Sequence, residues 1–349
     1  MTVDHAALRE LIAPMRAAMY DWTPDAVRTA VLEASAPDAV FHLAHPFNTL
    51  GGPTDFVGGA LAPLHHAWPD VERRDYIVMA GADSYDGHWV GCAGDYTGTF
   101  ARPFLDIPPT GHQTSMRFHE YFRIEDGRIT EMQALWDIPE VMFQAGVWPM
   151  GPALGRTWRA PGPALNDGLR TGPRDEALSE RNKQLVIDML GDMVKHPPGP
   201  VEAMRLDHWW HEKFSWYGPA GIGTARGVSG FRNWHQIPFL KAMPDRAGGY
   251  LGETYFFGDG PFVAETAWPG MTMHFSGDGF LGMIPTGTPV TGRSLDFWRV
   301  EDTPAGPRIR ENWVLFDVLH VWDQLGVDVM ERMRELTSAP RIARDVFGS

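Results

Sequence analysis

Four carboxylates stand at matched places in two similar stretches of the chain: Glu120 and Asp137, then Asp296 and Asp317. Glu120 and Asp296 each follow the glycine of a Pro-Thr-Gly turn, Gly111 or Gly287, by nine residues. Strand alternation puts Glu120 on one face with Phe118, Phe122 and Ile124, and Asp296 on one face with Trp298 and Val300. A carboxylate among apolar side chains is costly unless it is paired, neutral or functional. Pairing with Arg117 or Arg293 is one reading. The other is acid/base chemistry: one carboxylate removes a proton beside a carbonyl, and a second, neutral acid holds the oxygen that gains charge. Asp137 and Asp317 close the following strand, just before a helix, where Asp can serve as cap, as acid/base group, or as both.

Histidines supply further proton carriers. His42 lies on the first predicted strand, and Trp216 is its match in the second stretch. Counting back from the turn sets His274 opposite Gly98, and His235 falls on a helix near where the first stretch has His65 and His66. The predicted catalytic set is therefore Asp137, Glu120, His42, Asp317, Asp296 and His274. Trp136, Trp216, Tyr217, His235, Trp298 and Trp313 are the predicted substrate contacts, with ordinary core packing as the competing account of the aromatics. His119 has the opposite parity to Glu120 and is expected to point away from the pocket. No metal site is expected, since His42 and His45 would face opposite sides of a strand and His208 with His211 lacks a third ligand. The glycine-rich pieces fit neither a dinucleotide fingerprint nor a P-loop, and no cofactor is expected.

The elements that must position these residues occur twice. Ile107-Pro108-Pro109-Thr110-Gly111 recurs as Ile284-Pro285-Thr286-Gly287, Leu135-Trp136-Asp137 as Leu315-Phe316-Asp317, and Gln144-Ala145-Gly146-Val147 as Gln324-Leu325-Gly326-Val327. Each copy runs helices first and strands after. The first predicts helices over 4–22, from Thr23 onward and over 54–68, then strands over 71–79, 88–99, 114–124 and 129–137, with a tight turn at Glu125-Asp126-Gly127. The second predicts helices over 176–194, 200–213, 228–243 and 319–336, and strands over 214–217, 249–257, 262–275, 291–300 and 309–317. The order argues an α+β class. Residues 1–150 form copy one, 151–175 a Gly/Pro-rich linker and 176–349 copy two. The copies are expected to pack sheet against sheet as an internal pseudo-dimer, in a monomer or a homodimer.

The 349 residues carry a net charge of −14, which argues against a nucleic-acid surface and an anionic membrane. No apolar run has transmembrane length, and a cytoplasmic location is expected. The single cysteine, Cys92, lies in an apolar strand and reads as buried filler.

The tail Pro-Pro-Thr-Gly…Phe-x-Glu-Tyr-Phe-Arg-Ile-Glu-Asp-Gly-Arg-Ile…Trp-Asp, after three helices, resembles the SnoaL-like polyketide cyclases of the nuclear transport factor two-like superfamily, which also includes ketosteroid isomerase. It covers most of 5–150 and, more loosely, 180–330. The resemblance implies two tandem cone-shaped α+β barrels, each three helices packed on a strongly bent antiparallel sheet. It implies an apolar pocket with an acid at the end of the last strand, matched by Asp137 and Asp317. A second acid on the preceding strand is matched by Glu120 and Asp296. The expected function is a cofactor-free acid/base enzyme of cyclase, isomerase or dehydratase/lyase type acting on a small carbonyl or hydroxy compound. The alternative is a small-molecule binding or scaffold protein. Copy one, closer to the family pattern, is expected to keep the acid/base pair.

Overall fold

The computed structural model describes residues 4–246, 250–251 and 254–338. It contains two barrels of the same kind, one after the other. In the first, helices His5–Leu11, Ala13–Tyr20 and Pro24–Ala34 precede strands β1 (Ser35–His42) and β2 (Thr49–Gly51). A broken helix over 53–67 follows. Then come β3 (Glu72–Ala82), β4 (His88–Thr99), β5 (Gln113–Glu125) and β6 (Arg128–Trp136). The strand order is β2-β1-β6-β5-β4-β3, antiparallel except where β1 lies parallel to β6. In the second barrel, helix Glu176–Met193 leads to β7 (Trp210–Tyr217) and β8 (Thr224–Arg226), then a broken helix over 227–242. The strands β9 (Tyr250–Leu251), β10 (Thr254–Asp259), β11 (Phe262–Phe275), β12 (Thr288–Thr303) and β13 (Gly306–Phe316) complete it. Its main order, β10-β11-β12-β13-β7-β8, reproduces that of the first sheet.

Local chemistry explains where the elements differ from expectation. The first predicted helix is two, because Pro14 opens a new helix where its missing N–H costs nothing. Helices 53–67 and 227–242 each contain a π-helical turn, Val57–Leu61 and Arg232–Gln236. In each, Pro63 or Pro238 lies two residues beyond the turn and withholds an N–H, and the wide turn carries the backbone past the gap. Trp210–Lys213, expected to be helical, begins β7 instead, after a single turn at Leu206–Trp209. The last helix divides into Val318–Gln324 and Val329–Ser338 around Gly326, whose φ of +79° suits glycine. The turn after β5 has Asp126 and Gly127 at φ +49° and +72°, the left-handed pair that a two-residue hairpin requires. Gly249, the expected start of a strand, lies outside the described residues.

Both faces of each sheet are buried. The concave faces and the helices enclose the barrel interiors. The opposite faces meet each other: Trp89, Tyr121 and Leu135 of the first barrel pack on Phe257, Phe297 and Trp313 of the second. The segment between the barrels runs along this seam. Asp167 pairs with Arg299 at 2.8 Å, and the Pro161 carbonyl accepts from the Trp313 ring N–H. Among the described residues no helix is long and apolar enough to cross a membrane.

Candidate active site

Strand pairing fixes which residues correspond. Glu120 opposes Cys92 across β4 and β5, and Asp296 opposes Glu265 across β11 and β12. On the far side Glu120 opposes Ala134, and Asp296 opposes Val314. The two acids are thus true counterparts, but their surroundings have diverged.

Glu120 lies in a filled interior. It is 1% exposed. Arg73 donates to it at 2.5 Å, the Tyr96 hydroxyl at 2.9 Å and the Trp136 ring N–H at 3.0 Å. The Arg73 guanidinium also lies 4.2 Å from the Phe118 ring centre. The carboxylate is fully satisfied, so the pairing account holds here, with Arg73 as partner rather than Arg117. The Tyr96 ring packs against both Phe118 and Trp136 beside it.

The second barrel holds a cavity of about 120 Å³, roughly ten times what one water needs. Three substitutions at matched positions change its character. Phe118 of the first barrel corresponds to Ser294, Cys92 to Glu265 and Met132 to Asn312. The fourth residue of the π turn is Ala60 in the first barrel and His235 in the second. The interior thus loses a phenyl ring and gains four polar groups, all of which line the cavity. Trp210, Trp216, Trp298, Phe231 and Phe239 supply its apolar walls.

Electrostatics follow from this burial. Glu265 and Asp296 face each other across paired strands, and no guanidinium bonds to either carboxyl among the described residues. Burial pushes the Glu265 carboxyl well above the ordinary range, and the Asp296 charge pushes it further. Burial also pushes Asp296 up, to about 7, against the Ser294 hydroxyl, which donates to it at 2.7 Å, and Asn312. The two carboxyls interact and titrate as a pair. His235 stacks on Trp216 with ring centres 4.1 Å apart. Burial, aided by Arg246, lowers its pKa to about 3, so the imidazole is neutral. Its Nδ1 and the Trp210 ring N–H are buried without a protein partner, as expected of groups that meet a ligand or water.

Of the predicted residues, Asp296, Trp216, His235 and Trp298 come together here. The others do not. Asp137 and Asp317 sit on the seam between barrels. Each caps the following helix, accepting from Glu140 N at 3.3 Å and His320 N at 3.1 Å. Each also crosses to the other barrel, Asp137 accepting from Ala220 N and Asp317 from His45 N, both at 2.9 Å. Arg117 and Arg293 complete the two clasps through the Tyr217 and Leu43 carbonyls. Trp136 is inside the filled barrel. His42 pairs in register with Gln133, and Tyr217 with Trp313, so His42 corresponds to Tyr217 rather than to Trp216. Phe41, one residue earlier, points inward, while His42 stacks on Trp268 at 5.3 Å. Tyr217 and Trp313 belong to the seam. His274 is solvent-exposed and binds Asp245, as Thr99 binds Asp70 in the first barrel. Two facing carboxyls, Glu265 and Asp296, thus lie in the second barrel, whereas Glu120 in the first is bonded to Arg73.

Glu265 was missed. Its signal was available: a lone acid within Phe262–Ala267, at the position where the first copy has Cys92. The clasp role makes a prediction. Asp137→Ala should lower stability by about 2–4 kcal/mol, through a lost cap and an unpaired buried Arg117. Chemical denaturation at pH 7 measures this, and a change under 0.5 kcal/mol (roughly the size of a surface substitution) would remove Asp137 from the clasp.

Residues 17–145 match the family model described as SnoaL-like polyketide cyclase. Similar solved structures each span one barrel. AclR, a candidate hydroxylase from Streptomyces galilaeus, is 23% identical over 40% of this chain and 82% of its own, with a TM-score of 0.34. IdmH, a candidate polyketide cyclase from Streptomyces antibioticus, is 24% identical over 39% of this chain and 96% of its own, with a TM-score of 0.32. A protein of ketosteroid isomerase-like fold from Catenulispora acidiphila, solved with trimethylamine, is 18% identical over 39% and 92%, with a TM-score of 0.31. No protein of curated function matches the chain. Over residues 17–145 the chain is thus similar to the SnoaL-like polyketide cyclases, and its second barrel repeats the strand order of the first.

Proposed function

We propose that the second barrel is an acid/base active site for a small, mostly apolar carbonyl compound, and that the first barrel is not catalytic. The observation that carries this reading is the Glu265–Asp296 pair, two carboxyls facing each other across paired strands in an aromatic cavity. Asp296, with its pKa near 7, takes a proton from the carbon beside the carbonyl. Protonated Glu265 donates a hydrogen bond to the carbonyl oxygen as negative charge develops there, and can return a proton. Neutral His235 and the Trp210 N–H orient polar substituents at the other wall. Proton removal of this kind is the step shared by isomerisation, aldol cyclisation and dehydration. It sets no demand for a nucleophile or hydride carrier.

The test needs no knowledge of the natural substrate. Small cyclic ketones and enones in D₂O report α-proton exchange by NMR. The protein should accelerate exchange of at least one of them, with a rate that rises as pH passes through about 7. Ser294→Phe, which installs the ring of the first barrel, should abolish both exchange and binding, while Glu120→Gln leaves exchange intact. Binding without exchange would make the barrel a carrier. Exchange that survives Ser294→Phe would move the chemistry elsewhere.

A further inference from the structure

The seam between the barrels is asymmetric where symmetry would be the simplest outcome. Among the corresponding pairs that face it are His119 and Leu295, Tyr121 and Phe297, Gln133 and Trp313. In these three the polar member belongs to the filled barrel, and in the pair Ala93 and Thr266 to the other. Each of the three polar members in the filled barrel bonds to the two strands that carry the acid pair. The His119 imidazole donates through Nδ1 to the Leu295 carbonyl at 2.7 Å. The Tyr121 hydroxyl donates to the backbone carbonyl of Asp296 itself, also at 2.7 Å. The Thr266 hydroxyl, beside Glu265, donates to the Gln133 side-chain oxygen. No reciprocal set can form, since Leu295 and Phe297 have no polar side-chain atom and Trp313 spends its N–H on Pro161. His119 is fully buried, and burial holds its pKa well below the ordinary value, so the ring is a neutral donor.

The effect of one buried carboxyl on another depends on their separation, which two strands free to slide or twist would not keep. From this one-way bonding we infer that the first barrel acts as a brace, with Tyr121, His119 and Gln133 as positioning residues that hold β11 and β12 so that Glu265 and Asp296 stay opposed. This rests on the acid-pair reading. None of the three touches the cavity, and their side chains reach only the convex face of the second sheet. The filled barrel thereby gains a role that its own interior cannot provide. The groups bearing on Asp296 are Glu265, Ser294 and Asn312 within the barrel and Arg117 across the seam, and none of them is altered by changing the brace.

Tyr121→Phe is the sharpest probe, since it deletes one hydroxyl and gives the seam the ring that Phe297 already places there. Thr266→Val removes a second brace from the other side and carries the test should the first variant fold poorly. Carboxyl ¹³C titration, with the Asp296 signal assigned by its loss in Asp296→Asn, follows the pair directly. In the parent Asp296 should titrate near 7. In either variant the midpoint should fall by at least about half a unit, because a loosened pair separates and admits water. Ketone exchange should slow about three- to tenfold with unchanged ketone affinity, a loss in turnover rather than binding. A parent midpoint near 7 with the same midpoint and rate in both variants overturns the brace alone. A parent midpoint near 4 overturns the acid pair, and the brace with it.

Discussion

Asp296→Asn should make the protein more stable and less active at once. Asp296 has a pKa of about 7 in the fold, against 3.8 for an ordinary aspartate. Between those values the folded chain keeps a proton that the unfolded chain releases. Stability therefore falls as pH rises from about 4 to 7, and the full penalty remains above pH 7. At 1.36 kcal/mol per pKa unit, the penalty is about 2–4 kcal/mol once coupling to Glu265 is allowed for. Asparagine carries no such penalty and can still accept from Ser294. Urea midpoints for parent and variant should coincide near pH 4 and separate at pH 8, with the variant higher. The same change removes the base, so ketone exchange should drop by at least about two orders of magnitude. A variant less stable than the parent at pH 8 would mean that Asp296 is ionised and well paired in the fold.

The counterpart in the first barrel should respond in the opposite sense. Glu120 is buried against Arg73, and Arg73 also pairs with Asp75 at 3.0 Å. Arg73→Met leaves two buried carboxylates without this cation and should cost about 3–5 kcal/mol. Adding Glu120→Gln should recover part of that loss, because one orphaned charge is gone. A double-mutant cycle in urea measures the coupling. Additive effects of the two substitutions would show that the pair does not hold this interior together. Ketone exchange should survive in any variant that stays folded, since the pair lies outside the reacting cavity.

These opposite responses locate the point at which the sequence stopped being legible. The repeated Pro-Thr-Gly turns, the Asp126-Gly127 hairpin and the helix-then-strand order exposed both barrels, because turns and alternation are local physics. Parity correctly grouped Glu120 with Phe118 and Phe122, and Asp137 with Gln133 and Leu135. It could not say which face looks inward, because the barrel interior and the seam bury apolar residues equally. Asp137 and Asp317 were therefore expected in cavities and lie on the seam. Register between copies was lost for a different reason. Matched residues differ by 175 positions at His42 and Tyr217, 173 at Cys92 and Glu265, and 180 at Asp137 and Asp317. Loops of unequal length carry the drift, and counting from one landmark misplaced His42 and His274 by one residue. Whether an acid is salt-bridged or left facing another carboxyl depends on partners distant in sequence. For Glu120 the partner is Arg73, on a strand that no local pattern connects to it.

We propose that one barrel is open for chemistry and the other closed. A crystal structure after soaking with the ketone or enone that exchanges fastest tests it most directly. The predicted result is ligand in the second barrel between Trp216 and Trp298, with its carbonyl oxygen within hydrogen-bonding distance of Glu265 and an α-carbon facing Asp296, while Arg73, Tyr96 and Trp136 stay closed on Glu120. Ligand against Glu120 in the first barrel, or in the second but turned away from both acids, would contradict it.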